Sequence, residues 1–210
     1  MDERKGITLK QNDYVRLIDS KTGQIRVERG EQIVYLQPTE KMLTKVERGV
    51  NVDEETAVLI RSTTTGQLSL ITDKQVFFPK ADEQIVEVRN RIKLEDREAI
   101  IIKDKDGRYI FRRGTDDERA FFLQPHQELV RMRWSTGIHK DRRDLVITKM
   151  DLRPKFMWYE FEARTEDNVE LIIGITFFWE VTELEKMIAV TDGGQLYFTP
   201  QDVDLTIRSG

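Results

Sequence analysis

Three stretches of this 210-residue chain repeat one order of features, and no other property of the sequence limits the fold as strongly. The stretches begin at Tyr14, Ala57 and Ala99, each with a short run rich in β-branched or aliphatic residues. A turn glycine and a second, alternating apolar run follow, which is the pattern of a β-hairpin. The turn glycines are Gly23, Gly66 and Gly107. We expect each of them to have positive φ, and we expect a side chain there to clash.

A third short strand in each stretch ends at a proline, because proline cannot donate a hydrogen bond to a strand ladder. These prolines are Pro38, Pro79 and Pro125. A unit of about 43 residues is too small to support a core alone, so each repeat should be stabilised by packing against the next. The sequence therefore predicts three tandem antiparallel β repeats in an elongated array, over 1–49, 50–92 and 93–140, the last including a linker. The alternative is one compact β domain whose hairpins resemble each other by chance.

Residues 141–210 predict a C-terminal α+β unit, which makes the expected fold class mainly β with an α+β end. A charged linker is expected from Arg131 to Asp144, because no apolar period is visible there. Three runs that begin at Asp144, Lys155 and Asn168 then indicate strands, and the last two are long enough for a hairpin that turns at 166–168. Thr182 and Glu185 have the spacing of a capping box, so a helix should begin there. Another helix start lies at Thr199, and we expect the natural chain to continue as a helix beyond residue 210.

Charge and cysteine content limit the partners and the compartment. The chain has 34 basic and 38 acidic residues and a net charge of -4, so neither nucleic acid nor an anionic membrane is expected as a strong direct partner. Because cysteine is absent, disulfides and thiolate metal sites are excluded. The polar N-terminus lacks the apolar core of a signal peptide. These features predict a cytoplasmic protein.

Few residues have a pattern that suggests chemistry. His126 and His139 each lack a second histidine at metal-binding spacing. The Asp104–Gly107 segment is similar to a calcium loop, but a loop in that register would need ligands at Ile102 and Arg113, so a hairpin turn is the better interpretation. We therefore predict no catalytic residue, no cofactor and no metal site, and we expect that the protein is not an enzyme.

One basic cluster is a candidate interaction surface. Its members are Arg131, Arg133, Trp134, Lys140, Arg142 and Arg143. Charge and stacking could bind RNA or a phosphoinositide, although Asp141 and Asp144 offset the charge and a charged linker explains the cluster better. The aromatic residues between 156 and 179 are expected to form the core of the C-terminal unit. Any that point outward are candidates for contact between subunits.

The sequence resembles a known family in three places. These are the repeat signature Lys21–Val27 with Tyr35–Pro38, its repetition at Phe122–Pro125, and the run Thr165–Val181. Together they resemble the major vault protein family. In that family, tandem antiparallel β repeats lead into a mixed α/β shoulder domain, and the subunits form the shell of a ribonucleoprotein particle. The run from Thr165 also resembles the wider stomatin, prohibitin and flotillin domain. The sequence differs from the vault pattern in having only three repeats and no long cap helix.

The resemblance implies a structural subunit that associates side by side with copies of itself into a shell, ring or cage. Two other interpretations remain open: a scaffold of the stomatin, prohibitin and flotillin kind, and a monomeric module whose β repeats bind a partner protein. Charged residues of both signs are abundant and no large apolar patch is visible in the repeats. We therefore expect association to weaken as salt rises.

Overall fold

The computed structural model describes residues 6–136 and 142–187, and within them the protein is mainly β with antiparallel sheets. Of these residues, 6–92 and 121–126 make one compact unit, and the other described residues make a second. The first unit contains β1 (Ile7–Leu9), β2 (Asp13–Asp19), β3 (Ile25–Arg29), β4 (Gln32–Val34), β5 (Glu40–Met42), β6 (Glu47–Arg48), β7 (Val50–Val52), β8 (Thr56–Ser62), β9 (Leu68–Ile71), β10 (Gln75–Phe77) and β11 (Glu83–Asn90).

Two short strands, β12 (Ile92–Lys93) and β15 (Ala120–Phe121), include residues of both units. The second unit contains β13 (Glu98–Lys103), β14 (Tyr109–Arg113), β16 (Glu128–Leu129), β17 (Met132–Thr136), β18 (Arg142–Ile147), β19 (Lys149–Asp151), β20 (Lys155–Arg164) and β21 (Glu170–Trp179). A single 3₁₀ turn follows at Leu184–Met187.

Strand positions recur along the first unit. Each of β7 to β10 begins 43 residues after the corresponding strand of β1 to β4. The pairing recurs as well, since Ile7 lies opposite Val34 in β1 and β4, and Val50 lies opposite Phe77 in β7 and β10. The hairpins β2–β3, β8–β9 and β13–β14 are all antiparallel. Equivalent stretches of sequence therefore form equivalent strands.

The three turn glycines all have positive φ, at 74° for Gly23 and Gly66 and 79° for Gly107. The N–H groups of Gly23 and Gly66 donate to the carbonyls of Asp19 and Ser62, both at 2.8 Å. The conformation expected from the sequence is thus present. The expected clash is wrong, because a Cβ at any of the three would have no atom within 4 Å. The constraint at these positions is the left-handed backbone itself.

Four strands begin with an acidic residue that closes the preceding turn. These residues are Asp13, Glu40, Glu83 and Glu98. Each carboxylate accepts the backbone N–H three residues earlier at 2.8–3.1 Å, and each acidic residue's own N–H donates to the carbonyl of that same earlier residue at 2.9–3.1 Å. Such reciprocal bonds satisfy turn donors locally and fix where the strand starts. At Glu40, the hydrogen bond from Arg26 is the main cause that lowers the pKa of the carboxyl group.

The central strands β2 and β8 bury one face in a small core of their own hairpin and its neighbours. Val15 and Leu17 of β2 pack with Leu9 and Val34. In β8, the corresponding cluster consists of Val58 and Ile60 with Val52 and Phe77. Each cluster has only four buried members, so burial of this face alone supplies little stabilisation.

The opposite face of β2 contacts the segment between β10 and β11 and the first residue of β11. The Phe78 ring meets the Tyr14 ring edge to face with centroids 6.2 Å apart, and the Arg29 guanidinium lies 5.7 Å from the Phe78 centroid. Arg16 donates to the carbonyl of Lys80 at 3.0 Å and also to that of Glu83. Burial, and then the hydrogen bond that Tyr14 donates to Glu47, raise the pKa of Tyr14 to about 12. We call this contact the Phe78 joint.

In the second unit, the corresponding face of β13 is covered by later parts of the chain. Ala99 and Ile101 pack with Met132 of β17, Met150 of β19 and Leu184 of the 3₁₀ turn. Strand β19 also pairs directly with β13, with Ala99 opposite Met150. The C-terminal strands therefore share one core with the third hairpin.

Two expectations for the C-terminal part need correction. The segment predicted as a linker contains β17 and the first residues of β18, and these two strands pair with Met132 opposite Ile147. The rest of β18 lies in the run from Asp144 that was predicted as a strand. The strand character of the linker segment was missed because its charged residues interrupt the apolar alternation by which a strand is recognised. The described part of the helix predicted from Thr182 is one 3₁₀ turn, and the helix start at Thr199 lies outside the described residues. The hairpin predicted to turn at 166–168 is confirmed as β20 and β21.

A substitution at Gly66 isolates the cost of the turn conformation. Gly66→Val should lower the free energy of unfolding by about 1–2 kcal/mol, because a β-branched residue is strained at positive φ. Gly66→Asn should cost less, since asparagine tolerates this region. Urea denaturation measures both. Equal stability of the valine, asparagine and wild-type proteins would show that this turn does not need glycine.

The Phe78 joint predicts a second stability difference. Phe78→Ala should lower the free energy of unfolding by about 2 kcal/mol, because half-buried ring area and the contacts with Tyr14 and Arg29 are lost. The matched control is Tyr35→Ala, at the position 43 residues earlier, where the side chain is 55% exposed. That change should cost about 0.5 kcal/mol or less. Equal losses in the two variants would contradict the joint.

Candidate interaction surface

Strands β20 and β21 form a long two-stranded ribbon. They pair along their whole length, from Lys155 opposite Trp179 to Arg164 opposite Glu170. The turn between them is closed by Thr165, whose hydroxyl accepts the Val169 N–H at 3.0 Å. Within residues 6–136 and 142–187, neither strand pairs with a third strand. We refer to this hairpin as the ribbon.

One face of the ribbon is exposed along its full length. Because directly opposite residues share a face, this even face is defined by its sequence positions. Its members are Phe156, Trp158, Glu160, Glu162 and Arg164 of β20, and Glu170, Ile172, Gly174, Thr176 and Phe178 of β21. All ten residues are exposed. The largest apolar exposures are 72% for Phe156, 81% for Phe178 and 70% for Ile172.

The other face, the odd face, is partly covered. Phe161, Ile173, Phe177 and Trp179 are half-buried, while Leu171 remains 42% exposed. Large apolar residues thus occupy both faces of the ribbon, although only the odd face is shielded. An isolated two-stranded hairpin is marginally stable in water, so the ribbon is a candidate for contact with another surface.

The expectation that the aromatic residues of this region form a core is wrong for Phe156, Trp158 and Phe178, which are exposed. The alternation of aromatic positions was interpreted correctly as a strand pattern. It could not reveal that no layer of the described chain covers the even face. Trp158 instead covers a glycine of the neighbouring strand, since a Cβ at Gly174 would lie 3.3 Å from its Nε1. An aromatic ring over a strand glycine supplies the packing that the glycine lacks.

The predicted basic cluster is only partly within the described chain. Arg131 is exposed just before β17, and Arg133 and Trp134 lie on β17. Arg142 and Arg143 lie on β18, with Arg142 opposite Thr136. Lys140 and His139 lie outside the described residues. The backbone therefore places five members on or next to one hairpin.

The predicted helix cap has another arrangement. Thr182 is exposed, and the Glu185 carboxylate accepts two hydrogen bonds from one nitrogen of Arg113, at 2.9 and 3.0 Å. Arg113 ends β14, 72 residues earlier in the chain, so local spacing could not have revealed this pair. Next to it, Leu184 is 1% exposed in the core of the second unit. The Leu184–Met187 turn is thus held by one buried side chain and one surface ion pair.

The other sequence candidates have structural explanations. The Asp104 carboxylate accepts the N–H groups of Asp106 and Arg108, both at 2.9 Å, which closes the hairpin turn. His126 is exposed and has a φ of 66°. In the part of the chain that the structure describes, no three metal-binding side chains are grouped closely enough to hold an ion. No helix among the same residues is long and apolar enough to cross a membrane.

Comparison of the sequence with models of known protein families finds no match. Comparison with curated proteins also finds no match.

The Leu184 anchor predicts a stability difference within one short segment. Leu184→Ala should lower the free energy of unfolding of the second unit by about 2–4 kcal/mol, because it leaves a cavity against Ile101 and Met150. Glu185→Gln should cost less than about 1 kcal/mol, since both partners of its ion pair are substantially exposed. Thermal and urea denaturation compare the two. A loss for Leu184→Ala no larger than that for Glu185→Gln would rule out the anchor.

Proposed function

We propose that this protein is a structural subunit, not an enzyme, that associates side by side with copies of itself into a ring, shell or cage. The observation that carries the proposal is the exposed even face of the ribbon. Phe156 and Phe178 lie opposite each other there with 72% and 81% of their surface in solvent. Exposing such a pair costs solvation free energy unless another surface covers it.

The architecture of the first unit supports a building-block role. Its strands recur at a spacing of 43 residues, with β7 to β10 corresponding to β1 to β4. At the Phe78 joint, the residues that follow the second set contact β2 of the first set. Units that bury a face only against a neighbour are typical of repeat proteins. The proposed full arrangement is three β repeats in an elongated array followed by a shoulder-like α+β domain, as the resemblance to the major vault protein family implies.

The remaining parts of the proposal follow from composition and from that resemblance. We place the protein in the cytoplasm, with itself as the main partner and without a cofactor. A protein cargo would be an additional partner. The net charge of -4 gives no general attraction to nucleic acid or to an anionic membrane.

Light scattering after size-exclusion chromatography tests self-association. The wild-type protein should have a mass well above the 24.8 kDa of one chain at micromolar concentration. Phe156→Ser with Phe178→Ser should shift it toward the monomer, because the even face loses its largest apolar groups. Val86→Ser with Val88→Ser, which removes two other exposed apolar residues from β11, is the matched control and should keep the mass. A monomeric wild-type protein at high concentration would overturn the proposal and favour a monomeric binding module.

Salt dependence separates the ribbon from the charged surface as the source of association. Rim ion pairs weaken in sodium chloride because screening shortens to about 3 Å at 1 M. Apolar contacts strengthen in ammonium sulfate, which is excluded from protein surfaces. With the even face as the contact, sedimentation should show assemblies that persist in the first salt and grow in the second. Dissociation in sodium chloride would instead support the sequence-based expectation of charge pairing.

A further inference from the structure

We infer that the copies join edge to edge, with β21 of one copy pairing antiparallel with β20 of the next. This inference rests on the proposed self-association and names its contact. Each strand is ten residues long and, in the described part of the chain, pairs only with the other. A long strand at the edge of a sheet is a template for pairing with another chain. Among the described residues, the ribbon therefore has one such edge on each side.

The two edges differ in charge. Strand β20 carries Lys155, Glu160, Glu162 and Arg164. Strand β21 carries Glu170 alone, and its remaining residues, 171–179, are uncharged and largely β-branched or aromatic. Charged side chains are a common protection against edge pairing. The β21 edge lacks this protection, so it is the edge most open to a partner strand.

Charge complementarity distinguishes the possible partner strands. Pairing β20 with β20 of a second copy, end to end, places Lys155 opposite Arg164, and like charges directly opposite are unfavourable. Pairing β21 with β21 has no such conflict, but it leaves both β20 edges unpaired. Pairing β21 with β20 in the register of the ribbon places Glu170 opposite Arg164 of the second copy. This arrangement is the only one of the three that uses both edges and also matches opposite charges.

The ribbon has room for that ion pair. Within one copy, Arg164 and Glu170 are 3.5 Å apart, and their side chains are 63% and 82% exposed. Both groups can therefore contact a second partner across the new edge. The same register places Phe178 opposite Phe156 of the second copy, next to the intramolecular pair of the same residues. The phenylalanine rings then form a row along the extended sheet, in which each ring shields the flank of its neighbour.

The direction of the strands determines the symmetry. Because β20 and β21 are antiparallel within a copy, the next copy's β20 runs in the same direction as the first copy's β20. Neighbouring copies are then related by a rotation without reversal, which is a heterologous contact. Such contacts close into rings or continue as filaments, and both are side-by-side assemblies.

Disulfide cross-linking tests the pairing directly, since the chain has no native cysteine. Glu162 and Ile172 lie opposite each other on the exposed even face. Glu162→Cys and Ile172→Cys are placed in separate, differently tagged chains and expressed together. Mild oxidation should give a disulfide-linked species of twice the monomer mass that carries both tags, because opposite residues in a sheet approach to disulfide distance. Each variant expressed alone should give no cross-link.

Two controls make the result decisive. Glu162→Cys with Ile172→Cys in one chain should form an intramolecular disulfide, which verifies the ribbon register. Ile175→Cys alone should give no cross-link. Two copies of residue 175 approach each other only if the β21 strands of two molecules pair at their centres. Light scattering on the same samples separates the two proposals. Assemblies that form without the mixed cross-link would overturn the β21–β20 contact and leave self-association standing, whereas monomers without a cross-link would overturn both.

Discussion

The fold depends on one constraint, which is that the central strand of each hairpin must be buried on both faces. In β8 and β13 the buried residues are consecutive, as in Ala57–Ile60 and Ala99–Ile102, whereas a strand with one wet face would alternate. For β2 and β8, the strand pairs β1–β4 and β7–β10 cover one face. In the first unit, β2 obtains its second cover at the Phe78 joint, and in the second unit β13 obtains it from Met132, Met150 and Leu184. Strands β2 and β13 are therefore each stabilised by a later part of the chain.

In the described part of the chain, the ribbon does not obtain this second cover. Its odd face is partly shielded, but its even face and its two long edges have no partner strand in the described chain. A hairpin of this length with Phe156 and Phe178 in water gains stability if another sheet edge or apolar surface meets it. Self-association extends to neighbouring molecules the same covering that β2 and β13 obtain within the chain. The exposed aromatic residues are thus the reason for which we propose the assembly.

Local chemistry explains what could be predicted from the sequence. Positive φ at Gly23, Gly66 and Gly107 and the hairpin of β20 and β21 follow from turn residues and alternation. Alternation does not say which face finds a partner, so the exposure of Phe156 and Phe178 was missed. Charged residues interrupt the apolar alternation of β17, so that strand was missed, whereas the run from Asp144 was recognised as a strand. The contact between Arg113 and Glu185 spans 72 residues and has no local signal. The Phe78 joint has none either, since Tyr35 at the aligned position is exposed.

Hydrogen exchange of the β21 backbone at increasing protein concentration tests whether copies pair through the β21 edge. Amides that point toward β20 of the same copy are already hydrogen-bonded, so their exchange rates should not depend on concentration. Amides that point away from it, on alternate residues between 171 and 178, should become protected as copies associate and acquire a partner strand. We expect this alternating gain of protection if copies pair through β21. Exchange rates that stay the same at all concentrations while the mass rises would contradict it.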